Sequence, residues 1–365
     1  MLCIIAFIIF LTLFPILGFF PNYRKLFARA WDCVFKKITL KPCDINLGDE
    51  LKNKLLGKLV FRYPKITKFL DKTFGFWAFL FAVINIWSIA TVAVSGLNLY
   101  VYGTCNSSSG ESCSLSGEAC GVASSQVSFD QAVRDGKYIE WATSPLTELG
   151  KTISRVPSRL KKWQAEDYLA PKPTYYQKFD PNKQIALEII DPSCSFCSKL
   201  FKNIKKSNFQ NNYNLTYVLY PIPEQTAKSD YKFPASYLIS SYIEASKQLA
   251  PASQVSEVPA DWQLLEIFFV EEDINTGQTL QEKFNFTFSK TEYEEQIQKR
   301  LTQIGYSKDQ LKELKKLKDS KQVSQNLDRQ RQIVEEEVRT IRIPTVIFDG
   351  RRFDRVLKAK ELEAT

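Results

Sequence analysis

Two long uncharged stretches open the pattern. Leu2 to Phe20 carries no charge, and a helix of that length would reach about 28 Å, close to the thickness of a bilayer core. A second uncharged run lies between Lys72 and Glu111, with its apolar centre at Phe76–Tyr102 and with Tyr100 and Tyr102 at the far end. The pattern predicts transmembrane helices over 1–20 and 75–102. The first run has no basic n-region and no small-residue cleavage site, so it reads as a span rather than a signal peptide. Between them, residues 21–74 form a basic loop. Residues 103–171 read as a Ser/Gly/Cys-rich tether and stalk, in which Leu146–Ile153 and Ser158–Tyr168 could form short amphipathic helices.

From about residue 172 the periodicity sharpens. Gln184–Ile190 is a buried-strand run, and Asp191-Pro192-Ser193 is a turn. Cys194–Ser207 has helical spacing, with Phe196, Leu200, Phe201 and Ile204 on one side. Leu215–Tyr220 reads as a second strand. Residues 225–340 are largely helical, with segments at Ala235–Leu249, Trp262–Val270, Tyr293–Gln303, Lys308–Leu317 and Val323–Thr340. Ile343–Phe348 is a strand, Asp349-Gly350 a hairpin turn signal, Arg352–Leu357 its return, and Lys358–Ala364 a closing helix. The predicted class is α/β.

Charge changes the picture only locally. The net charge is +9, and residues 21–74 hold 13 Lys+Arg against 5 Asp+Glu. The excess therefore belongs to the loop between the spans, and no nucleic-acid partner is expected. The positive-inside rule puts this loop in the cytoplasm, both termini outside, and 172–365 beyond a plasma membrane. A bilayer is the implied partner of the two spans and the basic loop.

There is no histidine. That excludes Ser-His-Asp and Cys-His nucleophile pairs within the chain. What remains is Cys194-Ser195-Phe196-Cys197, placed after a strand and turn and opening a helix. Unpaired N–H groups and partial positive charge at a helix start stabilise a thiolate, and the thiolate is the species that attacks a disulfide. Cys194 is the candidate nucleophile and Cys197 the resolving thiol. No cofactor motif and no metal site is expected.

Gln184–Ile204 and Arg342–Gly350 resemble the thioredoxin superfamily. The long helical stretch between them, including Gly305 before a helix and Ser320–Arg342 leading into Ile-Pro-Thr, resembles its DsbA-like branch. The resemblance covers about 175–365 and implies a thioredoxin fold with a helical insertion at about 225–340. It also implies that Pro344 is a cis-proline packed on the cysteine pair. Ile343 would then offer its backbone to an extended substrate. Strongly oxidising members carry a His between the cysteines, and here Ser195 and Phe196 stand there. Ser195 Oγ could donate a weaker hydrogen bond to the thiolate, so a less oxidising pair is expected.

Three further cysteines, Cys105, Cys113 and Cys120, face the predicted oxidising side. Two of them are expected to form a structural disulfide, with Cys3 as a possible fourth member, in preference to a relay to Cys194. Cys33 and Cys43 fall in the cytoplasmic loop as reduced thiols. The expected function is disulfide formation in translocated cysteine-containing proteins, starting from an oxidised Cys194/Cys197 pair that a separate quinone-linked membrane partner renews. Alternatives are a reductase or isomerase of the same fold and a non-catalytic client-binding module.

Overall fold

The computed structural model describes residues 87–101, 119–121, 129–154, 156–157, 161–226, 229–253 and 256–363. The chain divides into two units, Met1–Leu97 and Asn98–Thr365. Residues 87–101 are helical. The predicted span 1–20, the loop 21–74 and residues 75–86 of the second span lie outside the described residues, as do Cys3, Cys33, Cys43, Cys105 and Cys113. Among the described residues, no helix is long and apolar enough to cross a membrane.

In the second unit, a two-residue strand, β1 (Cys120–Gly121), precedes helices α1 (Phe129–Asp135) and α2 (Tyr138–Ile153). The helix expected from Leu146 starts eight residues earlier and continues through Pro145. Of the helix expected at Ser158–Tyr168, residues 158–160 lie outside the described residues, residues 161–164 are not helical, and Ala165–Tyr168 is a 3-10 turn. Trp163, Ala165, Tyr168 and Ala170 are buried in the main core. Trp163 N–H donates to the Gly350 carbonyl at 2.9 Å. The packed domain therefore begins upstream of the expected boundary at 172, because these four side chains need its core to leave water.

The central run forms β2 (Ile185–Ile190), followed by α3 (Ser195–Ser207) and β3 (Asn214–Leu219). β2 and β3 are parallel, with Ile185 opposite Asn214 and Ile190 opposite Leu219. A parallel pair needs a crossover, and α3 supplies it. Cys197, Leu200, Phe201 and Ile204 form the buried face of α3, and Asn208 ends it in a left-handed conformation.

The hairpin β4 (Pro223–Thr226) and β5 (Ser229–Tyr231), which the sequence reading left unassigned, opens the insertion. Helices α4 (Ser236–Ser246), α5 (Ala260–Val270), α6 (Tyr293–Ile304), α7 (Lys308–Lys318) and α8 (Lys321–Gln332) follow. Ser307 and Gln310 form a capping box on α7, and Ser320 caps α8. These satisfy otherwise orphaned N–H groups.

The chain closes with β6 (Arg342–Ile343), β7 (Thr345–Phe348), β8 (Arg351–Phe353) and α9 (Ala359–Glu363). The main sheet has the order β3-β2-β7-β8, with β7 antiparallel to β2 and β8 antiparallel to β7. The architecture is thus a β-α-β unit, a helical insertion and a β-β-α unit. The strand expected from Ile343 to Phe348 is divided at Pro344: β6 pairs only with β1, and β7 joins the main sheet.

Candidate active site

The strand-to-helix corner is built by Asp191. Its carboxylate accepts from Ser193 N–H (2.8 Å), Ser236 Oγ (2.7 Å) and Ile222 N–H (2.9 Å). Its carbonyl accepts from Cys194 N–H at 3.0 Å. Cys194 itself has extended backbone at the N-cap of α3. Its carbonyl accepts from Cys197 and Ser198 N–H at 3.0 and 3.3 Å. The sulfur of Cys194 thus sits at the positive end of α3, and Cys197 lies one turn further in, fully buried.

The insertion closes over this corner. Gln281 Nε2 donates to the carbonyls of Pro192 (2.7 Å) and Cys194 (3.2 Å), and Asn285 Nδ2 donates to that of Ser193 (3.0 Å). Ser198 Oγ ties α3 to the Phe269 carbonyl at 2.6 Å. These contacts assign Asn285, which matches a glycosylation pattern in the sequence, an inward-facing structural bond instead.

On the other side, the Ile343–Pro344 peptide is cis. The Cys194 sulfur lies 4.0 Å from the Ile343 carbonyl oxygen. Four of the residues singled out in the sequence, Cys194, Cys197, Ile343 and Pro344, therefore meet across the corner. Ser195 is exposed and Phe196 half-buried against the core. Among the described residues, no hydrogen bond links the Ser195 hydroxyl to Cys194, whose sulfur is held here in a disulfide and is not a thiolate.

The cysteine pairing corrects one expectation and changes the place of Cys120 in another. Cys194 is bonded to Cys120, and Cys197 is a free buried thiol. Among the described residues there is thus no Cys194–Cys197 disulfide, and Cys120 is paired outside the tether; a disulfide between Cys105 and Cys113 falls outside the described residues. The physical reason is the position of β1. Cys120 pairs opposite Ile343 and Gly121 opposite Arg342, which delivers the Cys120 sulfur to Cys194.

Two buried carboxyls near Cys197 escaped the sequence reading. Glu188 lies inside β2, is 1% exposed, and neither of its carboxyl oxygens has a hydrogen-bond partner among the described residues. Burial pushes its pKa up to about 8. Asp191 is raised to about 6 by burial, which outweighs its three hydrogen bonds. The Cys197 thiol is raised well above its ordinary value, first by burial and then by the charges of Asp191 and Glu188. The backbone N–H of Asp191, 3.5 Å from its sulfur, pulls the other way. The signal for Glu188 was present, since a lone acid interrupts an apolar run that β pairing on both sides must bury.

No protein-family model matches the chain, and no curated protein matches it. Among solved structures, the chain is similar to the thiol-disulfide exchange protein alpha-DsbA2 from Wolbachia pipientis. Identity is 17% over 52% of this chain and 84% of that one, with a TM-score of 0.36. It is also similar to MdbA, a thiol-disulfide oxidoreductase from Corynebacterium diphtheriae (12% identity, 54% and 96% covered, TM-score 0.37). A third is Proteus mirabilis ScsC in a compact conformation (13% identity, 64% and 91% covered, TM-score 0.36).

Proposed function

We propose that this chain is a thiol–disulfide oxidoreductase of thioredoxin fold with a DsbA-like insertion, working through Cys194 and Cys197. One observation carries the reading: the Cys194 sulfur stands at the N-terminus of α3, against the Ile343 carbonyl, with Cys197 one turn behind it. The helix end lowers the cost of negative charge on sulfur 194 as a leaving or attacking group. A client thiolate attacks sulfur 194 of the Cys194–Cys197 disulfide and forms a mixed disulfide. A second client thiolate then displaces sulfur 194. The client leaves oxidised and the pair is left as a dithiol. Asp191 and Glu188 are both in electrostatic reach of Cys197, and Glu188, whose pKa is near 8, is the one of the two that is mostly protonated at neutral pH and can exchange a proton as that thiol gains or loses charge.

The finer assignment is an oxidase of translocated, cysteine-containing proteins, anchored to a plasma membrane by spans at 1–20 and 75–102, with its catalytic domain outside. A separate quinone-linked membrane protein renews the disulfide. The uncharged runs and the basic loop between them support this placement.

The test is exchange in both directions. Full-length protein should oxidise a reduced client peptide faster than it reduces insulin, and Cys194→Ser should abolish both activities. Insulin reduction as the faster reaction would assign the reductase direction. Unchanged client oxidation in Cys194→Ser would refute the assignment.

A further inference from the structure

The active-site sulfur is occupied by a segment of the same chain. β1 lies antiparallel to β6 and uses the backbone edge of Ile343 that an extended client would need. Its Cys120 is joined to Cys194. Ala119 and Cys120 are 1% and 6% exposed, Cys194 is 0% exposed, and Lys232 Nζ holds the Gly121 carbonyl at 3.3 Å. A structural staple would need none of this register. A client held in a mixed disulfide would need all of it: an extended backbone, pairing beside Pro344, and a sulfur delivered to the N-terminus of α3. Small neighbours at Ala119 and Gly121 let the strand approach closely.

We propose that Cys120 is a third redox cysteine and that β1 is a built-in client, which holds the enzyme as an internal mixed disulfide until Cys197 releases it. The inference rests on the oxidoreductase reading of Cys194 and Cys197 and deepens it. The step balances without any added oxidant. The Cys197 thiolate attacks sulfur 194, the 194–197 bond forms, the 120–194 bond breaks, and Cys120 leaves as a thiolate that takes up the proton Cys197 gave. One disulfide exists before and after. The edge of Ile343 is then open, and an external thiol can attack sulfur 194. The reverse step recaps the site. The implied client class is an extended segment whose cysteine has small residues on both sides, as in Glu118-Ala-Cys-Gly-Val122.

A chain-linked competitor acts at an effective concentration of roughly 1 mM. For a client half-saturating near ~0.1 mM alone, Cys120→Ser should therefore lower the apparent KM about tenfold, with kcat little changed. Removing the resolving thiol gives the complementary trap. In full-length Cys197→Ser, acid quenching, alkylation and peptide mapping without reduction should recover Cys194 mainly linked to Cys120. In Cys120→Ser/Cys197→Ser, a synthetic peptide spanning 117–123 should take that place on Cys194, which covers the case in which a single variant folds poorly. Recovery of Cys194 as a free thiol or on another cysteine in Cys197→Ser, together with an unchanged KM in Cys120→Ser, would overturn the proposal. A 120–194 link in Cys197→Ser with no exchange activity in Cys120→Ser would instead retire the oxidoreductase reading, and the internal-client role with it.

Discussion

Replacing Glu188 with glutamine removes an acid that the fold buries and can accommodate cheaply only in its protonated form. Glu188 faces Tyr217 of β3 on one side and Val346 of β7 on the other. Its side chain is 1% exposed in the middle of the sheet. Its pKa is about 8 in the folded chain against 4.5 for the free side chain. The folded state therefore binds this proton more tightly than the unfolded state. The stabilising contribution is complete below pH 4.5 and is lost as pH rises through about 8. At about 1.4 kcal/mol per unit, the loss amounts to about 3 kcal/mol at pH 7 and about 5 kcal/mol above pH 8. Glutamine keeps the shape, stays neutral, and escapes this loss. Glu188→Gln should thus match the parent near pH 4.5 and exceed it progressively toward pH 8.5. Guanidinium unfolding of the full-length protein, followed by the fluorescence of its tryptophans (Trp262 among them, wholly buried), would measure the gap at four or five pH values. A stability difference that stays constant across this range would refute the claim that Glu188 is buried without compensation. The same substitution should slow client exchange if Glu188 carries the Cys197 proton, so stability and turnover would move in opposite directions.

Other outcomes follow from the corner around Cys194. Asp191→Ala would strand three donors, Ser193 N–H, Ile222 N–H and Ser236 Oγ; at about 1–3 kcal/mol for each unsatisfied buried group, a loss of at least ~3 kcal/mol is expected in denaturant titration. Gln281→Ala would unpair the Pro192 carbonyl and take one of three donors from the Cys194 carbonyl, costing about 1–3 kcal/mol and speeding hydrogen exchange in the turn at 191–194 more than in β3. Gly305→Ala would drive a Cβ to within 2.1 Å of the Ser253 carbonyl oxygen at a φ of +107°; the loss should exceed the ~1 kcal/mol of an ordinary unfavourable backbone substitution and appear as a lowered Tm.

How much of this was legible beforehand depends on the range of the interactions involved. β2, α3 and β3 could be read because each is a local pattern: an apolar run, a helical stripe and a second apolar run, with Cys-x-x-Cys at the joint. The insertion's helices were legible for the same reason, although the π-helical turns at Lys283–Thr287 and Ile333–Val338 were not. The hairpin β4–β5 has no alternating pattern in Pro223–Thr226 or Ser229–Tyr231 and was missed. Trp163 and Tyr168 were assigned to a stalk because nothing near them in the chain shows what buries them. Gln281 and Asn285 lie 87–92 residues from the carbonyls they hold, and no local signal marks them.

Local order along the chain was therefore enough to specify where the candidate cysteine pair stands: a strand that ends, a turn, and a sulfur at the start of a helix, with no histidine in the chain. Which sulfur it would meet was beyond that reach. Cys120 sits in a Ser/Gly-rich segment whose two-residue strand has no pattern of its own and exists only because the edge of Ile343 is there to pair with it. Disulfide partners and the burial of Glu188 are properties of distances in space. Those distances are set only when β7 closes the sheet against β2 and brings residue 343 beside residue 194.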